Sequence, residues 1–133
     1  MVSYNPVNLD QHKSDAIVVT CCDPRFQDAY RQAAEQVSDY YDLMAVPGAS
    51  KAIVDDPNVI KNIKLLHSLH HFEEVHIMDH VECGAFGKID DEVDSHSKYL
   101  HLAIQKLGKE LPELKVIPHL LGAHKELKLK VPA

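Results

Sequence analysis

The chain has no tryptophan, only three cysteines among 133 residues, and no uninterrupted apolar run longer than about five residues, against the roughly 20 needed to cross a bilayer. A membrane-spanning helix is therefore not expected, and the N-terminus lacks the apolar stretch of a secretory signal. Basic character is also lacking. The formal net charge is -6 and the pI about 5.9, with no basic stripe or interleaved aromatics, which argues against nucleic acid as a partner. Two of the three cysteines are adjacent, and the odd count leaves one over, so a disulfide framework is not expected. Reduced thiols in a cytoplasmic setting fit better. No internal repeat, low-complexity tract or linker interrupts the chain, and residues 1-133 read as one domain.

Residues 1–14 read as a polar, irregular lead-in. Asp15 to Cys21 reads as a short, β-branched, buried strand. Phe26 to Val37 places Tyr30, Ala33, Ala34 and Val37 on one helical face, and Tyr40 to Val46 is a second apolar run stopped by Pro47-Gly48. Asp55-Asp56-Pro57 has the composition of a helix start. The helix it opens carries Ile60, Ile63, Leu66 and Leu69 at helical spacing and ends near Phe72. Glu74 to Met78 reads as a third strand, Asp94 to Leu111 as a helix and Lys115 to Leu121 as a fourth strand. After Gly122, the segment Glu126 to Val131 alternates like an edge strand. Strands alternating with helices predict an α/β fold, a mostly parallel central sheet of about four strands plus an edge strand, flanked by helices.

The chemistry-bearing residues gather after two strands. Cys21-Cys22-Asp23-Pro24-Arg25 follows the first, and His80-Val81-Glu82-Cys83-Gly84 follows the third. If these strands are neighbours, their carboxyl ends form a crevice where ligands bind. Two sulfurs and one imidazole make a soft, zinc-selective donor set with one position left open. His-x-x-Cys alone is a weak signal, and so is a strand-end cysteine; together, at corresponding strand ends, they are stronger. Gly84 would let the backbone bend close to an ion. Asp23 and Arg25 alternate with Cys21, and a bidentate guanidinium would hold the carboxylate ionised and oriented.

Cys-x-Asp-x-Arg after the first strand and His-x-x-Cys-Gly after a later one resemble the β-class carbonic anhydrases, in order, strand context and separation, from about Ala16 to Leu129. The resemblance implies a zinc lyase, a carbonate dehydratase. Cys21, His80 and Cys83 would ligate one zinc ion per chain. Asp23 and Arg25 would be the dyad that orients or masks the zinc-bound hydroxide, with Asp23 an alternative fourth ligand. Hydroxide would attack carbon dioxide to give bicarbonate and a proton. A homodimer or a dimer of dimers is also implied, as is an α/β fold of that family's kind. Cys21 rather than Cys22 is assigned because only that register aligns Asp23 and Arg25. Two stretches differ from the family pattern: Asp79 stands where glycine usually precedes the ligand histidine, and Val46-Pro47-Gly48-Ala49 replaces an Arg-Asn-Ala-Gly-like segment. Hydrolysis of carbon disulfide or carbonyl sulfide on the same scaffold, or zinc binding without catalysis, are the competing readings.

The remaining histidines carry blander expectations. His67, His70 and His71 suit a solvated helix C-terminus, His76 a packed, hydrogen-bonded strand position, and His96 and His101 the surface. The acidic run Asp90-Asp91-Glu92-Asp94 reads as a solvated helix start. Its spacing is not that of a calcium loop.

Overall fold

The computed structural model describes residues 3–130. Five strands form one sheet in the order β2-β1-β3-β4-β5: β1 (Ala16–Thr20), β2 (Tyr41–Ala45), β3 (Glu74–His80), β4 (Lys115–Leu121) and β5 (Glu126–Leu127). The first four are parallel, and β5 pairs antiparallel with β4. Ile17, Val18 and Val19 of β1 are wholly shielded from solvent. That suits a parallel strand covered on both faces, which reads as a continuous apolar run rather than an alternating one. β1 pairs with β2 on one side and β3 on the other, so the chain reverses its direction of travel across the sheet between them. Such a reversal opens a crevice at the carboxyl ends of the two strands.

Among the described residues, four α-helices flank the sheet: α1 (Gln27–Val37), α2 (Ser50–Asp55), α3 (Pro57–His70) and α4 (Glu92–Glu110). Side chains alternate across the pleat, so β3 contributes Val75 and Ile77 to the core beneath α2, α3 and α4, and Met78 to the smaller core beneath α1. Tyr30 and Ala34 are the buried residues of α1. Asp56 caps α3 by accepting from the Asn58 amide, with Pro57 at the first helical position, as its sequence suggests. Asp91 caps α4 through the Asp94 amide, so the acidic run is a helix start.

Four details differ from the sequence-based expectation. Helix α2 follows the Pro47-Gly48 turn where no helix was expected, because Ser50–Asp55 is too short for periodicity to reveal it. Strand β3 runs on to His80, so that histidine ends a strand rather than opening a loop. Leu69 is exposed because steps of three residues drift around the helix, so that nine residues on from Ile60 it stands on the opposite face of α3. The terminal edge strand is only Glu126–Leu127; Leu129 beyond it packs on the main core, and Val131 lies outside the described residues.

Candidate metal centre

β1 and β3 end side by side, and the residues that leave them converge. Cys21, one residue past β1, His80, the last residue of β3, and Cys83, three residues on, bring Sγ, an imidazole nitrogen and Sγ within 4.8 Å of one another. All three side chains are buried. The two sulfurs are 3.9 Å apart; sulfurs at opposite ends of a tetrahedral edge around zinc stand about 3.8 Å apart when each bond is about 2.3 Å. Cys22 is exposed, and Cys21 is the cysteine of this pair that lies with His80 and Cys83.

The imidazole is set in one tautomer. His80 Nδ1 donates to the Val81 carbonyl at 2.7 Å, which leaves Nε2 with a free lone pair. That Nε2 is buried and, among the described residues, has no hydrogen-bond partner. Burial pushes the His80 pKa down, favouring the neutral ring that a metal needs. The Phe26 ring stacks on it at 4.3 Å. Burial, reinforced by the neighbouring Cys21, pushes the Cys83 thiol up to about 11. A pocket that disfavours the Cys83 thiolate and leaves an imidazole lone pair orphaned is matched by a divalent cation, which offsets both costs. The donor set fits zinc.

Asp23 and Arg25 sit at the edge of this group. The guanidinium grips the carboxylate in a fork, Nη2 to Oδ2 at 2.8 Å and Nε to Oδ1 at 3.1 Å, and the Arg25 amide donates to Oδ1 at 2.8 Å. These bonds hold the Asp23 carboxyl down to about 2. Asp23 Oδ2 lies 3.8 Å from His80 Nε2. Arg25 Nη2 also donates to the Glu82 carbonyl at 2.9 Å. Glu82 has a φ of 55°, in the left-handed region. Its amide donates to Glu92 Oε1 at 2.5 Å, so both polar groups of this strained peptide are tied down just before Cys83.

The glycine whose amide reaches a donor sulfur is Gly48, not Gly84. Nothing lies within 4 Å of a Cβ built at Gly84, so this glycine is not explained by crowding within the chain. At Gly48, φ is 85° and a Cβ would stand 3.0 Å from that of Ala85. The Gly48 amide donates to Cys21 Sγ at 3.4 Å. The Val46–Ala49 stretch thus brings a backbone donor to the sulfur.

Residues that sequence reasoning missed lie on the opposite face of β3. Asp79 is buried and accepts from the Ser50 amide at 3.0 Å and the Ser50 hydroxyl at 2.6 Å. Its Oδ2 also meets His96 Nδ1 at 2.7 Å. His96, expected at the surface, is wholly buried against Phe86, ring centroids 4.1 Å apart. The signal was Asp79 itself, since a carboxylate inside an apolar strand needs donors around it. His70 also departs from a solvated role, with Nδ1 2.6 Å from Asp42 Oδ2.

Residues 11–129 match the family described as "Putative carbonic anhydrase". The chain belongs to that family. Two curated relatives, both uncharacterized proteins, come from Rickettsia. One, from Rickettsia bellii (strain RML369-C), is 27% identical over 128 residues, covering 84% of this chain and 78% of its own length. The other, from Rickettsia conorii (strain ATCC VR-613 / Malish 7), is 26% identical over 128 residues, covering 84% of this chain and 69% of its own. Among the described residues, no helix of this family member is long and apolar enough to cross a membrane.

Proposed function

We propose that the protein is a zinc-dependent carbonic anhydrase that interconverts carbon dioxide with bicarbonate and a proton. The observation that carries this reading is the buried, partnerless His80 Nε2 converging with Cys21 and Cys83 beside an ion-paired carboxylate. Cys21 Sγ, His80 Nε2 and Cys83 Sγ would hold one zinc ion. Zinc, when bound, supplies Lewis acidity that brings the pKa of a water to about 7.

The rest of the work belongs to the chain. The Val81 carbonyl fixes His80 in the tautomer with a free Nε2. Asp23, held at about 2 by Arg25, is too weak a base to take a proton at neutral pH. Its Oδ2 instead accepts a hydrogen bond and so orients a water at the donors. Arg25 sets that oxygen's direction and, through the Glu82 carbonyl, ties the dyad to the loop carrying Cys83. The free cysteines support a reducing, cytoplasmic setting as part of the same reading. The homodimer implied by the family resemblance is also part of it.

The test measures zinc content and carbon dioxide hydration together on wild type and Cys21→Ser. The wild type is expected to carry about one zinc per chain and to hydrate carbon dioxide, with both lost or greatly weakened by the substitution. A zinc-loaded wild type with no hydration above background from neutral to alkaline pH would leave a non-catalytic zinc protein instead.

A further inference from the structure

A second cluster of donors lies on the α1 side of the sheet, away from the cysteines. His76 of β3 and His119 of β4 stack with ring centroids 5.2 Å apart and 24° between their planes. His76 Nδ1 and His119 Nε2 face each other at 2.9 Å. Each ring is held from behind by its own carboxylate: His76 Nε2 meets Glu74 Oε1 at 3.0 Å, and His119 Nδ1 meets Glu126. The His76 side chain is 8% exposed and that of His119 is 18%. Both line a groove of about 870 Å³ between α1 and the β4–β5 turn, with His124 on its wall.

Proton counting shows what this arrangement lacks. A carboxylate only accepts, so each outer nitrogen must carry the hydrogen it shares with Glu74 or Glu126. In neutral rings the two inner nitrogens are then both bare, and two lone pairs 2.9 Å apart repel. A cation must lie between them or one outer bond must be given up. An extra proton would supply the cation, but burial pushes the His76 pKa down and works against it. Imidazoles backed by carboxylates are, by contrast, the usual dress of metal-bound histidines. Two nitrogens 2.9 Å apart, each about 2.1 Å from an ion, subtend about 90° there. That is the angle between adjacent ligands of a six-coordinate ion, narrower than a tetrahedral site provides.

We propose that His76 Nδ1 and His119 Nε2 form a second site, for a divalent transition ion with octahedral preference, completed by water from the open groove. Glu74 and Glu126 act as positioning residues that fix the two tautomers. The site is independent of the cysteine-lined centre and of the function proposed for it.

The probe is nickel chloride, titrated calorimetrically into the full chain loaded with one equivalent of zinc and freed of excess. Wild type is expected to take up one nickel per chain, and His119→Gln to lose it. Glu126→Gln, at an exposed carboxylate, should fold normally and bind about tenfold more weakly or worse. His101→Gln on α4 should change nothing. Nickel bound at the cysteine site, should zinc not occupy it, is recognised because Cys21→Ser removes it and His119→Gln does not. Absence of nickel uptake, or uptake undiminished in His119→Gln, overturns the proposal. So does a nitrogen-15 spectrum showing one proton still shared by the two rings after nickel is added.

Discussion

Asp79 Oδ2 and His96 Nδ1 meet at 2.7 Å with both side chains wholly shielded from solvent. Ser50 places two further donors on the same carboxylate. The group joins β3, α2 and α4 directly behind His80. It also anchors the first residue of α2, next to the stretch whose Gly48 amide reaches Cys21.

Removing one partner of a buried, hydrogen-bonded pair strands the other. Asp79→Ala should therefore cost about 3–5 kcal/mol of stability, as read by urea unfolding. Asp79→Ala combined with His96→Leu should cost less than the two single changes summed, because the double variant no longer strands the His96 ring, although the buried Ser50 amide and hydroxyl still lose their acceptor. Strict additivity would mean the pair does not interact.

Gly48→Ala tests the backbone donor. A side chain there must tolerate a φ of 85° and a contact of 3.0 Å with the Ala85 Cβ, a strain of about 1–2 kcal/mol. Movement of the loop would lengthen the amide-to-sulfur bond. Weaker zinc retention against a chelator is expected, and unchanged retention would show that the bond to Cys21 has no bearing on the metal.

Asp23→Asn should leave zinc bound and lower turnover, since three other donors remain and only the orienting carboxylate is lost. Zinc content and hydration rate, measured on one sample, separate these effects. Complete loss of zinc would make Asp23 an obligatory fourth ligand.

The same carboxyl predicts a pH window. Its folded pKa of about 2 lies below the ordinary 3.8. The stability that the Asp23–Arg25 pair contributes is thus present above roughly pH 4 and is lost as pH falls through 2. In denaturation series on metal-free protein, wild type should hold an advantage over Asp23→Asn near neutrality and lose it in that interval. A constant gap down to pH 2 would contradict the assignment.

Arg25→Lys should be damaging despite conserving charge. A lysine cannot both fork onto Asp23 and reach the Glu82 carbonyl. Turnover is expected to fall as in Asp23→Asn, and chelator resistance should fall as well, because the strained Glu82 peptide before Cys83 loses its tether.

The sequence by itself determined the strands, the long helices and the candidate donors. The short apolar runs Ala16–Thr20 and Glu74–Met78, set between stretches of helical spacing, point to a parallel sheet, because local pattern and burial on both faces agree in these central strands. Cys21, His80, Cys83, Asp23 and Arg25 stood out as candidates because strand ends are readable and the donor types are distinctive, and the fold brings the first three within 4.8 Å of one another. What needed tertiary structure was every relationship that crosses elements without a local signature. Helix α2 is too short to show a period. His96 looks like a surface histidine until Asp79 is seen 2.7 Å away from a different element. The Gly48 amide carries no side chain from which its contact with Cys21 could be guessed. His76 and His119 sit 43 positions apart, and only the pairing of β3 with β4 turns their nitrogens toward each other. Periodicity reports which face a residue takes, whereas partners for buried polar atoms are chosen by packing between elements.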